Sequence, residues 1–242
     1  MIYQTRALIL NQFMYDDNKL IVKMYTEQMG TVSYLAYQSK DKKKRNRMPL
    51  SMSLVEVLGE EKRKGQLHYI KEVKLLETEK NGHFDFAKSS VRLFLNEILH
   101  CLLVDIGEDG RLFGFLYASL SDFMHRDFSP DFHLRFLVAL MQELGFSPQN
   151  NYSADTAPMF NVDNGCFEPI LCQDKEKQLL SYLFVRLLNQ GLFPEQAKDA
   201  IPSLWRNKLL DMILRYYTQH ITDFSNIKSH EVLKTVLRTG NG

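Results

Sequence analysis

Over its first 76 residues the chain alternates apolar and polar side chains with a period of two; after residue 83 the period lengthens to three and four. A period of two sends successive side chains to opposite faces of a strand, whereas a period near 3.6 lines one stripe of a helix. The chain is therefore held to a β part followed by an α part. Five runs read as strands: residues 5–14 (TRALILNQFM), 19–26 (KLIVKMYT), 31–37 (TVSYLAY), 50–58 (LSMSLVEVL) and 66–76 (QLHYIKEVKLL). Tyr15-Asp16-Asp17-Asn18, Gly30 and the charged stretch 60–65 supply the turns. In the fourth run, Leu50, Met52 and Leu54 fall on one face. Five short strands in about 75 residues suggest a small closed barrel, for which the OB-fold is the common five-stranded solution.

Beyond Lys80-Asn81-Gly82-His83, residues 84–105 carry Val91, Phe94, Leu95, Ile98, Leu99 and Leu102 at helical spacing. A second helix spans 111–125. Ser129-Pro130-Asp131 opens a third, with Ser or Asp as cap and Pro in the first turn, and Gly145 stops it after Leu144. Residues 147–173 are irregular, with Pro148, Pro158 and Pro169, and hold a hairpin around Asn164-Gly165. Helical periodicity returns at 174–190, 203–221 and 229–238. The fold class is thus α+β and multidomain. Residues 1–80 form an OB-fold barrel and residues 81–242 an all-α domain, with a small irregular hairpin insert at about 147–173.

Between the third and fourth runs lies the densest charge in the chain. Lys40, Lys42, Lys43, Lys44, Arg45 and Arg47 are opposed only by Asp41. Unpaired like charges cannot be desolvated together, so this segment stands in water or against something negative. Two readings follow: a solvated basic turn, or a contact for nucleic-acid phosphates. The net charge of +1 hides an asymmetry. Residues 1–80 hold 15 Lys and Arg against 10 Asp and Glu, whereas residues 81–242 hold 15 against 19. Barrels of this kind bind single strands by joining a positive groove to exposed rings, and Tyr3, Tyr15, Tyr25, Tyr34, Tyr37 and Tyr69 are candidates. Most strand tyrosines are cross-strand packing partners.

Signatures of catalysis are missing: the sequence has no phosphate-binding Gly-rich loop ending in Lys-Ser/Thr, no GxSxG and no HExxH. Adjacent Asp16 and Asp17 read as turn caps, and His100 as a hydrogen-bonded core or edge histidine. Cys101, Cys166 and Cys172 form no close pair, which argues against both a disulfide framework and a structural zinc site. No apolar run reaches bilayer length and no signal-like segment opens the chain, so a cytoplasmic protein is expected. Arg135, set among apolar residues in HLRFLVALMQELGF, either snorkels from its helix or rims a groove for an acidic, apolar peptide.

Taken in order, these segments resemble the RecO family. RALILNQFMYDDNKLIVKMYTEQMGTVSYLA is similar to the family's first strand, acidic turn, second strand ending in Thr, Gly turn and third strand, followed by a basic segment. LMQELGFSP is similar to its Leu-Gly-aromatic helix end, and SHEVLKTVL to its C-terminal Ser-x-Glu-Val-Leu. The order and spacing of the segments together carry the resemblance, over essentially the whole chain. It implies a non-enzymatic recombination mediator of DNA repair. Such a protein binds single- and double-stranded DNA, anneals complementary strands and, with RecR, loads RecA onto strands coated by single-strand-binding protein. A bacterial cytoplasmic location, at the nucleoid during repair, is implied too. An RNA-binding OB-fold protein and a non-catalytic scaffold are the alternatives.

On this reading Lys40, Lys42, Lys43, Lys44, Arg45 and Arg47 contact phosphates, with Arg6, Lys19 and Lys23 in support. The resemblance also implies a groove on the helical domain for the acidic C-terminal tail of single-strand-binding protein. Arg135, with Leu134 and Val138, is the candidate for it; the competing reading has Arg135 pair with a nearby acid inside the bundle. Many family members carry a four-cysteine zinc site after the Leu-Gly-aromatic helix end. Here that region reads NNYSADTAPMFNVDNGCFEPILC, so a hairpin without metal or other cofactor is expected.

Overall fold

A computed structural model describes residues 1–37, 48–61, 67–77, 85–156, 158–169, 174–193, 200–222, 224 and 227–239. Five strands, β1 (Ile2–Asp16), β2 (Lys19–Thr26), β3 (Gly30–Tyr37), β4 (Leu54–Glu60) and β5 (His68–Leu75), close a barrel in the order β1-β2-β3-β5-β4. All neighbours are antiparallel except β3 and β5. The long β1 makes closure possible by serving two partners: Ile2–Leu8 pair with β4, and Ala7–Asp16 with β2. Its register shifts between Ile9 and Asn11, the kind of irregularity that bends a strand around a barrel corner. Alternation then fills the interior with Ala7, Ile9, Leu20, Val22, Met24, Tyr34, Ala36, Val55 and Val57.

The fourth strand starts later than its sequence pattern suggests. Met52 adopts φ +68°, and regular pairing begins only at Leu54. Met52 N–H donates to the Ile9 carbonyl (2.7 Å), and Ile9 N–H to that of Ser53 (3.1 Å). A left-handed residue breaks the pleat, so Leu50 and Met52 do not share a face: Leu50 is 72% exposed and Met52 3%. Gly30, at φ +66°, closes the β2–β3 turn. A Cβ there would lie 2.3 Å from the Ile106 carbonyl oxygen, so the site needs glycine for space as well as for conformation.

The chain forms two compact units, Met1–Phe84 with Leu95–Arg126, and Asp85–Phe94 with Asp127–Gly242. The division falls inside α1 (Phe86–Leu102). The first unit therefore includes α2 (Gly110–His125), capped by Asp109, whose Oδ1 accepts from the N–H groups of Arg111 and Leu112. Tyr25 of β2 meets this helix start. Its hydroxyl donates to the Asp109 carbonyl (3.4 Å), its ring lies 6.1 Å from that of Phe113, and burial pushes its pKa up to about 12.

The second unit contains α3 (Phe132–Glu143), the hairpin β6 (Met159–Asn161) and β7 (Cys166–Glu168), α4 (Lys175–Asn189), α5 (Ser203–His220) and α6 (Ser229–Thr239). Gly145, at φ +80°, ends α3 as its sequence position suggests: Phe146 N–H returns to the Met141 carbonyl (3.1 Å). Asp131 does not cap α3. Its side chain leaves its own helix and is 1% exposed among partners from other elements. The hairpin packs Phe160 and Phe167 on Phe184 of α4 and Tyr216 of α5.

Beside Asp131, His133 is 2% exposed, edge-on to Phe94. Burial, with Arg206 and Arg135 nearby and only the Pro130 backbone opposing, pushes its pKa down to about 3. The unfolded imidazole titrates near 6.5, so below that pH the unfolded chain binds a proton the folded chain refuses. Stability therefore falls as pH falls from 6.5 toward 3. Between pH 7.5 and 5 the expected loss is about 2 kcal/mol. Urea titrations followed by fluorescence of Trp205, the single tryptophan, read it. In His133→Gln this component disappears; an unchanged pH dependence in that variant removes His133 as its source.

Candidate nucleic-acid interface

The cations singled out in the barrel fall into three situations. Arg6 is committed within its own unit. Its Nε and Nη2 donate to both carboxylate oxygens of Glu27 (2.8 and 2.5 Å), and its guanidinium lies 4.9 Å from the Tyr117 ring centre. The hydrogen bonds to Glu27 raise the Arg6 pKa and lower that of Glu27. Lys19 pairs with Asp16 at 2.8 Å, which raises the ammonium's pKa and lowers the carboxyl's. Lys23 stands on the outer face of β2 with no ion pair among the described residues. Lys40, Lys42, Lys43, Lys44, Arg45 and Arg47 lie outside the described residues, between Tyr37 and Met48.

The tyrosines separate cleanly by environment. Tyr25 and Tyr34 are fully buried. Tyr3 reaches into the barrel, where its hydroxyl bonds the Tyr34 hydroxyl (3.2 Å) and His68 Nδ1. Burial raises the pKa of both tyrosines, Tyr34 strongly. Tyr15 and Tyr37 are 64% exposed, and Tyr37 lies nearly parallel to Tyr69 (13° between rings, 6.4 Å between centres). Cross-strand pairing puts them in a set. Phe13 opposes Ile21, Ile21 opposes Leu35, Leu35 opposes Tyr69, and one step along Lys19 opposes Tyr37. Paired residues share a face, so this outer sheet surface carries an apolar and aromatic row edged by a lysine. A groove of about 820 Å³ is walled by Tyr37, Met48, Pro49, Leu50, Ile70 and Val73 together with the inward-facing Leu20 and Ala36 and the charged Lys71 and Glu72. Its walls include Met48, which directly follows the basic run, and Tyr37, three residues before it.

In the second unit, Arg135 is 6% exposed, with its Nη2 3.9 Å from Asp131 Oδ2. Burial lowers its pKa. Leu134 is 0% and Val138 3% exposed, so none of the three stands at the surface of this arrangement. The hairpin's turn is clasped by one carboxylate: Glu168 accepts from the side-chain amides of Asn161 (2.9 Å) and Asn164 (2.7 Å). Among the described residues no three His, Cys, Asp or Glu side chains converge as metal ligands, so the described part of the hairpin does not fit a zinc site. Cys172 lies outside those residues. No helix among them is long and apolar enough to cross a membrane.

Comparison with known families matches this architecture in two consecutive pieces. Residues 1–79 match Recombination protein O N terminal, and residues 83–230 match Recombination protein O C terminal. The chain belongs to the RecO family. The barrel and the helical region are those of a RecO protein, and the resemblance read from segment order holds along the chain. A DNA repair protein RecO of Flavobacterium psychrophilum is 30% identical over 238 residues, covering 96% of this chain and 98% of that protein. That of Azobacteroides pseudotrichonymphae is 32% identical over 246 residues, covering 98% and 99%. That of Phocaeicola vulgatus is 30% identical over 241 residues, covering 97% and 98%. The RecO signal in the sequence was local: turn, cap and strand segments in order. Two neighbourhoods carried no such signal, namely the pairing of Tyr37 with Tyr69 and the carboxylate of Asp131, because each joins residues more than thirty positions apart.

Proposed function

We propose that this RecO protein is a DNA-binding recombination mediator of DNA repair. It binds single- and double-stranded DNA, anneals complementary strands and, with RecR, helps RecA onto strands coated by single-strand-binding protein. One observation carries the reading: a six-cation run set between Tyr37 and Met48 of a five-stranded barrel, in a chain matched by the RecO family along nearly its whole length. Phosphate binding needs a dense, mobile-counterion-releasing set of Lys and Arg, and this run supplies it. The work asks for binding and release of strands rather than bond chemistry, so no acid, base or nucleophile is assigned.

The test is annealing of complementary strands precoated with single-strand-binding protein, with and without RecR. The protein accelerates annealing of coated strands, and RecR alters that rate and is needed for RecA loading. A matched RNA oligonucleotide competes less well than DNA of the same sequence. Failure to anneal coated strands, or preference for the RNA competitor, overturns the reading.

A further inference from the structure

We propose that the Glu168 carboxylate closes the β6–β7 hairpin in place of a metal, so that the order of this hairpin rests on one acidic side chain and is independent of zinc. An isolated two-stranded hairpin is marginal in water, and these strands are three residues each, so something beyond their ladder must hold them. A structural zinc does so by gathering about four side chains around one cation. Glu168 gathers in the same way with the charges reversed. Its Oε2 accepts from the Asn161 amide at 2.9 Å and its Oε1 from the Asn164 amide at 2.7 Å, while the Cys166 thiol lies 3.6 Å from Oε1 as a third donor. The three donors come from β6, from the turn and from β7. Asn161 also organises the turn itself, because its Oδ1 accepts from the N–H groups of Asp163 (2.9 Å) and Asn164 (3.2 Å). Each donor favours the charged form of Glu168, and the amides of Asn164 and Asn161 hold its pKa below the ordinary glutamate value.

The donor set at this centre does not suit a metal. Carboxamides are poor zinc ligands, and Cys166 is the single thiol among the described residues of the hairpin. A thiol binds zinc as its thiolate, whereas burial and the contact with Glu168 push the Cys166 pKa up and keep the proton on sulfur. A second clasp ties the closed hairpin to the chain before it. The Asn151 carboxamide pairs with one residue of β7 as a neighbouring strand would: its Nδ2 donates to the Phe167 carbonyl (2.9 Å) and its Oδ1 accepts from the Phe167 N–H (2.8 Å). Gln149 N–H adds a bond to the Gly165 carbonyl (2.8 Å). Residues 149–151 and 161–168 are thus joined by side-chain amides, backbone and one carboxylate, which is the work that paired cysteines do around zinc. The hairpin in turn walls a groove of about 390 Å³, lined by its Met159 and Val162 and by Leu180 of α4 and Met212 of α5. The clasp therefore sets the shape of that wall.

The experiment follows hydrogen exchange in the intact chain at the N–H groups of Gly165 and Phe167, which bond to the Asn161 carbonyl and to Asn151 Oδ1. In wild type both exchange at one rate each, whether a zinc chelator or zinc itself is added. Glu168→Ala speeds both by about tenfold or more, as loss of hydrogen bonds to a charged acceptor requires. The amides of α3 keep their wild-type rates, because local opening and global unfolding are separate events. Glu168→Gln falls between, since its NH2 group cannot accept from the second asparagine. Should Glu168→Ala not fold, Asn164→Ala removes one arm of the clasp and gives a smaller rise confined to the hairpin. Cys166→Ser keeps a donor to Glu168 and removes the thiol, and it exchanges as wild type. Unchanged exchange in Glu168→Ala and in Asn164→Ala overturns the clasp. Faster exchange after chelation, faster exchange in Cys166→Ser, or stoichiometric zinc in the purified protein overturns it in favour of a metal centre.

Discussion

Replacing Asp131 with Ala destabilises the unit that holds α3 and α5 by about 3–5 kcal/mol, the range for removing one partner of a buried ion pair. The carboxylate is the junction of three segments. Its Oδ1 accepts from Arg206 Nε at 2.8 Å, its Oδ2 accepts from the Ile201 N–H at 2.8 Å, and Arg135 lies 3.9 Å away. Arg206 is itself 2% exposed and donates onward to the carbonyls of Ile201 and Leu237. Without Asp131, two buried guanidinium groups face each other with no carboxylate between them. The cost is the uncompensated desolvation of those charges, which far exceeds the net worth of the intact pair. Asp131→Asn keeps an acceptor and loses the charge, so it costs less. Arg206→Met added to Asp131→Ala recovers part of the loss, since it removes a stranded cation. Trp205 adjoins Arg206, and urea unfolding followed by its fluorescence reads all three. A loss below about 1 kcal/mol for Asp131→Ala, within the range of ordinary surface substitutions, contradicts the junction role.

Replacing Lys42, Lys43, Lys44 and Arg45 together with Ala flattens the dependence of log affinity on log salt for a single strand by about 3, at roughly 0.7 per phosphate contact. At 0.1 M salt that corresponds to a loss of several hundredfold, on the order of 600. The contrast with the barrel's other cations sharpens the test. Lys23, with no ion pair among the described residues, contributes one contact, so Lys23→Ala moves the slope by about 0.7. Arg6→Ala leaves the slope near wild type, because its charge is already held by Glu27. It lowers the melting temperature instead, through the lost contacts to Glu27 and the Tyr117 ring. Filter-binding or anisotropy titrations between 50 and about 300 mM salt measure the slopes, the range over which counterion release dominates. An unchanged slope in the fourfold variant removes the run from the DNA contact.

The sequence by itself determined the kind and order of the elements. Five alternating runs became the five strands of a closed barrel, Asn164-Gly165 lies in the turn of the β6–β7 hairpin, and Gly145 ended α3. Each of these rests on neighbours within a few residues: side-chain period, turn chemistry and the freedom of glycine at positive φ. Only the tertiary structure decided what those elements do with their side chains. Met52 looked like a strand residue and is a left-handed bend, because its N–H is drawn to Ile9, forty-three positions earlier in the chain. Asp131 looked like a cap and became a buried junction, because Arg206 and Ile201 arrive from seventy or more residues away. Arg135 could be read at the rim of a groove or inside the bundle, and its burial beside Asp131 depends on the same distant partners. The six barrel tyrosines are chemically alike in sequence. They diverge into core, hydrogen-bonded interior and exposed ring because strand register, a property of paired chains, chooses the face each one occupies.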